Sequence, residues 1–312
     1  MYRVRQQVGC TDEIMDSCRG RGYSEENAVR VAVLDTGIGR HPDFEGRVEA
    51  FQDFLYGGNR MYDDSGHGTH VSGCIAGSGK ASGGMYKGIC PYARLLVGKV
   101  LDKNGDGNME DMRRGIEWVL DNQKRYHIRV LNISIGIGHI EDKGKMQELL
   151  QAVDMAWNEG LVVVCAAGNM GPEPMTISPL GSSKKVITVG CHDGGYFTGK
   201  HSLCESYSGR GPSLDAMKKP DVVAPGTDIV SCNVACRSSF RGYKNAYVKK
   251  SGTSMATPIV SGAAALLLQK YPELSNEQVK RKINYSATDM KEPWTKQGWG
   301  MVNVARLIQI VH

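Results

Sequence analysis

The sequence predicts an α/β fold in which a mostly parallel sheet is flanked by helices on both faces. Short, almost continuously apolar runs rich in β-branched residues recur along the chain, as expected for strands buried on both faces. Segments with helical spacing lie between several of these runs, and such alternation is typical of a parallel sheet. The predicted strands are residues 29–34, 94–100, 129–135, 161–166, 185–190 and 221–226.

Four helices are predicted between and after these strands. Three of them span residues 109–126, 143–158 and 255–270. A fourth begins at Ser275, because Ser275 and Gln278 have the spacing of a capping box. A further helix is expected to start near His67 and His70, which are three residues apart.

Composition excludes several classes of protein. The 312 residues carry 38 Lys and Arg against 33 Asp and Glu, a net charge of +5, and they contain no long basic block. Mean hydropathy is −0.33, and there is no run of 18 apolar residues. We therefore expect neither a nucleic-acid partner nor a membrane partner.

The nine cysteines are dispersed and odd in number, and several lie inside apolar runs. This pattern favours reduced thiols over a disulfide framework. The N-terminus has no apolar signal segment. Both observations predict a cytoplasmic protein, or a secreted one if the chain is the excised mature form of a precursor.

Four polar residues follow predicted strands or begin predicted helices. Asp35 follows the first strand, Asn169 follows residues 161–166, and His67 and Ser254 lie at helix starts. Ligand sites of parallel sheets lie beyond the carboxyl ends of the strands. Acyl transfer needs a nucleophilic hydroxyl, an imidazole base, a carboxylate that orients the base, and an oxyanion donor. Each residue alone is a weak signal, but together they supply one of each group.

The motifs around these residues, VAVLDTGI, HGTHVSG, AAGN and GTSMATP, resemble those of subtilisin-like serine proteases, the subtilases. They occur in the family order Asp, His, Ser. The resemblance covers residues 28–308 and implies a subtilisin-like three-layer fold. It divides the chain into an N-terminal extension, residues 1–27, and a peptidase domain, residues 28–312. The extension is too short for a typical pro-domain, so an inhibitor or folding helper could be encoded separately, or the extension could be an inhibitory tail.

The resemblance implies a serine endopeptidase that cleaves extended or unfolded polypeptides through an acyl-enzyme. A cytoplasmic or leader-trimming maturation protease is the narrower expectation. The alternative is a catalytically silent peptide-binding scaffold or regulator of the same fold. In the family pattern Asp35 orients His67, His67 is the general base, and Ser254 is the nucleophile. Asn169 donates to the oxyanion, and His70 is structural.

The resemblance also implies three substrate-binding segments. One edge that pairs with the peptide is Ser134, Ile135 and Gly136, and the opposite edge is Gly105, Asp106 and Gly107. Ala166, Ala167 and Gly168 form a pocket wall for the residue before the scissile bond. Glu173 is the only ionisable residue of the expected pocket floor, residues 170–180, and we expect it to face solvent because it lies between two prolines. A large apolar side chain should then be preferred.

No cofactor is expected, and the sequence leaves structural calcium open. Residues 102–107 resemble the start of a calcium loop, but Arg113 stands where that loop needs Glu. Asp43 matches a family calcium ligand. The loop that should complete its site, residues 77–88, carries Lys80 and Lys87 and lacks the Asn-rich pattern of a high-affinity site.

Overall fold

The computed structural model describes residues 1–20, 22–135, 142–197, 203–213 and 217–309. Its central sheet has seven strands: β1 (Arg30–Asp35), β2 (Val48–Asp53), β3 (Arg94–Lys99), β4 (Ile128–Ile133), β5 (Val162–Ala166), β6 (Ile187–Cys191) and β7 (Val222–Ala224). Their order is β2-β3-β1-β4-β5-β6-β7, and each neighbouring pair is parallel. The winding of the sheet reverses at β1, where a ligand site is expected in such folds.

Two small antiparallel ribbons follow the central sheet. In one, β8 (Ile229–Cys232) pairs with β11 (Tyr247–Lys250). In the other, β9 (Arg237–Ser239) and β10 (Gly242–Lys244) form a hairpin between these strands.

The helices form the two outer layers. They are α1 (Tyr2–Gln7), α2 (Asp12–Arg19), α3 (His67–Ala76), α4 (Met109–Tyr126), α5 (Lys143–Asn158), α6 (Cys204–Tyr207), α7 (Thr253–Lys270), α8 (Asn276–Ser286), α9 (Trp294–Gln297) and α10 (Val304–Gln309). α4 and α5 pack together against one face of the sheet, and α3 and α7 pack together against the other. The α/β fold predicted from the sequence, with helices on both faces, is therefore confirmed.

The long helix α7 is apolar on all sides, and a helix of that composition is stable only when it is buried. Its residues from Met255 to Leu268 are all buried. It contacts β4, β5, β6 and β7, as well as α3. The small side chains of α7 thus fix the position of its first turn, which carries Ser254.

The predicted strands and helices agree with the observed ones to within a few residues. The capping box at Ser275 and Gln278 is present, and α3 begins at His67. The prediction missed β2, an edge strand of mixed polarity whose residues are mostly half-buried. No helix in the described part of the chain is long and apolar enough to cross a membrane.

Residues 1–20 belong to the same hydrophobic core as the sheet. Their buried side chains include Val4, Val8 and Met15. The Val304 backbone N–H donates to the Val8 carbonyl at 2.7 Å. α2 packs against α7 and α10. The sequence analysis predicted no structure here, because both helices are short and rich in charged residues.

Removal of residues 1–20 is expected to lower the melting temperature strongly. Each large apolar side chain taken from the core costs about 1.5–3 kcal/mol, and the total stability of a domain is only about 5–15 kcal/mol. Thermal unfolding followed by circular dichroism measures the effect. Gln6→Ala, an exposed position on α1, is the control and should leave the melting temperature unchanged. A truncated chain with unchanged stability and higher hydrolytic activity would instead identify an inhibitory tail.

Candidate active site

Asp35 and His67 form a hydrogen-bonded pair at the carboxyl edge of the sheet. Asp35 ends β1 and is fully buried. Its Oδ1 lies 2.6 Å from His67 Nδ1 and accepts a hydrogen bond from the Thr36 backbone N–H at 2.8 Å. A quarter of the His67 side chain is exposed. The imidazole is therefore held on one side by a buried carboxylate and reachable from solvent on another.

The approach of α3 to β1 depends on Gly68. A Cβ at this position would overlap the carbonyl oxygen of Gly37 and lie 3.1 Å from Asp35 Cβ. Any larger residue would push the start of α3 away from the end of β1. The Gly in HGTH therefore sets the distance between His67 and Asp35.

Asp63 fixes the start of α3, and the sequence analysis missed it. One oxygen accepts hydrogen bonds from the Gly66 N–H at 2.7 Å and Thr36 Oγ1 at 2.9 Å, and the other accepts from the Thr69 N–H at 2.9 Å. Burial raises the pKa of Asp63, but these hydrogen bonds outweigh burial and leave the pKa lowered. An acidic residue shortly before a helix start is the signal that could have found it.

Lys99 is a second residue that the sequence analysis missed. It ends β3, opposite Asp35 in the register, and it is fully buried. Its Nζ donates to the carbonyls of Thr36 and Leu101, both at 2.8 Å, and to Asp64 Oδ1 at 2.7 Å. These three acceptors compensate the buried ammonium and tie the loop after β1 to β3. Unlike Asp63, Lys99 has no local sequence pattern that could have marked it, because a lysine at the end of an apolar strand does not by itself indicate a buried, hydrogen-bonded ammonium.

The two histidines of α3 have opposite protonation behaviour. Burial lowers the pKa of His67, but the Asp35 charge and hydrogen bond outweigh burial and leave the pKa raised. Burial lowers the pKa of His70 to about 3, so this ring is neutral. The Nε2 of His70 lies 2.8 Å from the carbonyl oxygen of Ile229 and thereby ties α3 to β8.

Ser254 and Asn169 lie together at the start of α7. The Thr253 backbone N–H and hydroxyl both contact Asn169 Oδ1 at 3.1 Å. Because a backbone N–H can only donate, the amide oxygen must face Thr253, which leaves Nδ2 of Asn169 as a donor elsewhere. A Cβ placed on Gly252 would lie 3.6 Å from Asn169 Nδ2 and 3.8 Å from the Ser254 backbone N. Two N–H groups therefore flank one small space beside Ser254.

Ser254 and His67 lie in the first turns of α7 and α3, two helices that pack side by side. In space, the first residue of α3 lies against Asp35 at the end of β1. The first residue of α7 lies against Asn169, which follows β5 in the sequence. Since the strands are parallel, both helix starts lie at the same edge of the sheet. Ser254 Oγ forms no hydrogen bond with the described residues, and the hydrogen bond between nucleophile and base is often long in free enzymes.

The predicted substrate-binding segments follow β3, β4 and β5 at this same edge. Ser134 and Ile135 come directly after β4 and are buried, and Gly136 lies outside the described residues. Ala166 ends β5, Ala167 and Gly168 follow it, and all three are buried. Gly105, Asp106 and Gly107 form an exposed loop after β3. Glu173 is exposed.

Asp43 is surrounded by hydrogen-bond donors. Its carboxylate accepts from the backbone N–H groups of Gly79 and Ala81, both at 3.0 Å, and from the Tyr247 hydroxyl at 2.9 Å. His41 and Cys232 bring two further potential metal ligands within 4.8 Å. Calcium takes about six to eight oxygen ligands. N–H groups, an imidazole and a thiol do not supply them, so the residues around Asp43 do not fit calcium.

Comparisons with known proteins agree with this geometry. Residues 26–300 match the model of the subtilase family. The chain is 40% identical over 276 residues to the serine protease AprX of Bacillus subtilis (strain 168), covering 85% of this chain and 62% of that relative's length. It is 35% identical over 297 residues to subtilisin DY of Bacillus licheniformis, covering 94% of this chain and 95% of that relative. The solved structure of sphericase superposes with a TM-score of 0.76 at 27% identity, covering 93% of this chain and 97% of that one.

A parallel sheet with a buried aspartate, an imidazole and a serine at its carboxyl edge is the arrangement of a subtilisin-like serine endopeptidase. The chain belongs to the subtilase family and to this class of enzyme.

Asp43→Asn is expected to destabilise the protein, because an amide N–H group would face at least one of the donors that Asp43 now accepts. An unsatisfied buried donor costs about 1–3 kcal/mol. The free energy of unfolding should fall by that amount, and Asp121→Asn, an exposed position on α4, is the control.

The shift in melting temperature on adding calcium should be the same in wild type and Asp43→Asn. A calcium-dependent shift that disappears in Asp43→Asn would show that Asp43 does hold calcium.

Proposed function

We propose that the protein hydrolyses peptide bonds through an acyl-enzyme, with Asp35, His67 and Ser254 as the catalytic triad. The observation that carries the proposal is the 2.6 Å contact between His67 Nδ1 and the fully buried Asp35. This contact fixes the tautomer in which Nδ1 carries the proton and Nε2 is free to accept another. Nothing in the site favours a silent scaffold, because each chemical role has a suitable residue.

In the first step Ser254 Oγ attacks the scissile carbonyl carbon, and its proton passes to His67 Nε2. The C–O bond that forms places a negative charge on the former carbonyl oxygen. The Ser254 backbone N and Asn169 Nδ2 lie 3.8 Å and 3.6 Å from the point where a Gly252 Cβ would be, which supports both groups as donors to this oxyanion. The imidazolium that forms is stabilised by the Asp35 carboxylate.

In the second step the C–N bond breaks, and His67 gives its proton to the leaving amine. The acyl group remains on Ser254 Oγ. A water molecule then attacks the ester with His67 as base, and the carboxylic acid product leaves with Ser254 restored.

We further propose that the substrate binds as an extended strand. Backbone pairing along Ser134 to Gly136 and along Gly105 to Gly107 would require an unfolded chain or a flexible loop. Ala166 to Gly168 are small, which leaves room for a large side chain before the scissile bond. The exposure of Glu173 supports a preference for a large apolar residue there, because its charge is not committed to the pocket.

The cysteines support a reducing compartment such as the cytoplasm. All nine are free thiols, eight of them buried and Cys236 half-buried. Burial raises the pKa of the Cys10 and Cys165 thiols to about 12, which keeps them in the unreactive protonated form. Proteins of oxidising compartments more often hold their cysteines as disulfides.

Ser254→Ala is expected to abolish labelling by a fluorophosphonate probe and to lower kcat by several orders of magnitude. The fold should persist, because only one hydroxyl is lost. Ser206→Ala, an exposed serine on α6, should label like wild type. Equal labelling of wild type and Ser254→Ala would contradict the assignment of the nucleophile.

Asn169→Ala tests the proposed oxyanion donor by the same labelling and kinetic measurements. It should label slowly and lower kcat about 10²–10³-fold, with a smaller change in KM, because the amide acts on the charge of the transition state. A large rise in KM with kcat unchanged would mean that Asn169 binds the ground state instead.

Thiol titration of denatured protein that was never reduced is expected to find nine reactive groups, and the same count after reduction. A lower count before reduction, or a fall in melting temperature in mild reductant, would reveal disulfides. That result would contradict the reducing compartment.

A further inference from the structure

Asp193 is a buried carboxylate that takes no part in the proposed reaction steps. It lies two residues after β6 and is 1% exposed. Its Oδ1 accepts hydrogen bonds from the backbone N–H groups of Gly226 at 3.2 Å and Thr227 at 3.0 Å, and its Oδ2 accepts from the Thr227 hydroxyl. Among the described residues, only these two donate to the carboxylate. Because a buried charge without hydrogen bonds is costly, Asp193 holds both residues in place.

Residues 226–228, which we call the 226–228 loop, lie against the residues that precede α7. The Gly226 carbonyl accepts a hydrogen bond from the Gly252 N–H at 3.0 Å, and the Asp228 N–H donates to Ser251 Oγ at 2.9 Å. A Cβ on Gly226 would lie 2.8 Å from the Gly252 carbonyl oxygen and 2.6 Å from Cys191 Sγ. The loop is therefore packed tightly between Cys191 and Gly252, so its position determines where Gly252 lies.

Gly252 connects this loop to the catalytic groups. Its φ of 143° is in the region that favours glycine, and its carbonyl accepts from the Met255 N–H at 3.0 Å in the first turn of α7. The point where its Cβ would be lies 3.6 Å from Asn169 Nδ2 and 3.8 Å from the Ser254 backbone N. A shift of Gly252 would therefore move the nucleophile and change the spacing of the two proposed oxyanion donors.

The helix α1 binds the backbone of both partners in the Asp193 contact. The Arg3 guanidinium donates to the Thr227 carbonyl at 2.6 Å, and the Gln7 side chain donates to the Asp193 carbonyl at 2.8 Å. Arg3 also lies over the ring of Tyr196, 4.8 Å from its centroid. Since α1 belongs to the hydrophobic core, these bonds anchor the carboxylate and the 226–228 loop to the body of the protein.

We infer that Asp193 is a positioning residue for the reaction, because it fixes the 226–228 loop and through it the placement of Gly252 beside Asn169 and Ser254. The inference deepens the proposed function and rests on it. Asp193 touches neither the substrate nor the reacting atoms. The segments proposed to bind the substrate follow β3, β4 and β5, so a displaced 226–228 loop should affect the transition state more than the binding of the peptide.

The first test is Asp193→Asn, which keeps the size of the side chain but turns an N–H group toward at least one of the present donors. The substrate is a neutral quenched fluorescent peptide with a large apolar residue before the scissile bond. Rates are measured below the melting temperature and are divided by the active sites titrated with a fluorophosphonate. We expect kcat to fall about tenfold, less than the 10²-fold that a 1 Å misplacement can cost, with little change in KM.

Asp221→Asn is the matched control. Asp221 is also buried, and its Oδ2 lies 2.7 Å from Lys219 Nζ and accepts from the Thr188 N–H at 2.8 Å. It precedes the first residue of β7, whereas Gly226 follows the end of that strand. Both variants should have a lower melting temperature, but Asp221→Asn should keep the kcat of wild type per titrated site.

Thr227 gives a second pair of variants, which tests the same contact if Asp193→Asn does not fold. Thr227→Ser keeps the hydroxyl that donates to Asp193 and should keep kcat, whereas Thr227→Val removes it and should lower kcat with little change in KM. Equal kcat values in Thr227→Ser and Thr227→Val would overturn the inference. An unchanged kcat in Asp193→Asn, or an equal loss in Asp221→Asn, would overturn it as well.

A double-mutant cycle with Asn169→Ala gives a readout that a purely structural role would not move. If Asp193 acts by placing the oxyanion donors, the losses of kcat in Asp193→Asn and Asn169→Ala should combine to less than their product. Losses that multiply in full would show that the two residues act independently and would overturn the inference. Failure of wild type to cleave the peptide would overturn the proposed function with it, whereas cleavage with multiplying losses overturns the inference alone.

Discussion

The active edge of this protein depends on one buried carboxylate, Asp35. A charged group without solvent is costly unless it is paired and hydrogen-bonded. Asp35 meets part of this requirement through Oδ1, which accepts from His67 and the Thr36 N–H, while its buried Oδ2 has no hydrogen-bond partner among the described residues. The charge of Asp35 and its hydrogen bond to His67 raise the pKa of the imidazole. This contact joins the end of β1 to the start of α3, and it is possible because Gly68 allows the two elements to approach closely.

Three buried aspartates show how one fold satisfies the same charge in different ways. Asp35 is paired with an imidazole, and Asp63 with N–H groups at the start of a helix. Asp43 is held by loop N–H groups and a phenol. In the last case the chain's own hydrogen bonds hold the loop that carries Gly79 and Ala81 against Asp43. Lys99, buried with three acceptors, is the cationic counterpart.

Local patterns predicted most of the fold. Apolar strands and long periodic helices could be predicted because the spacing of their apolar residues reflects burial, on both faces for these strands and on one face for an amphipathic helix. The edge strand β2 and the short helices α1 and α2 were missed, because their formation depends on tertiary contacts that cannot be predicted from a local sequence pattern. At the site, motifs predicted Asp35, His67, Asn169 and Ser254, and the structure brings Asp35 and His67 into hydrogen-bond contact. Lys99 bonds Thr36 and Asp64, which are distant in sequence, so only the structure shows what it holds. Asp63 bonds the nearby Gly66 and Thr69, and its place before a helix start is the local signal that was overlooked.

The difference in burial among the cysteines allows one of them, Cys236, to be modified selectively. Cys236 is half-buried and lines a cavity with Arg40, Met61 and Tyr243, beside the β9–β10 hairpin. The other thiols are closed to a reagent that cannot enter the core. Burial raises the pKa of the Cys236 thiol, so alkylation requires mildly alkaline pH, and it would occur at Cys236 first because the other eight thiols are buried. A fluorophore could thus be attached at one defined position in the wild-type protein, beside the β9–β10 hairpin.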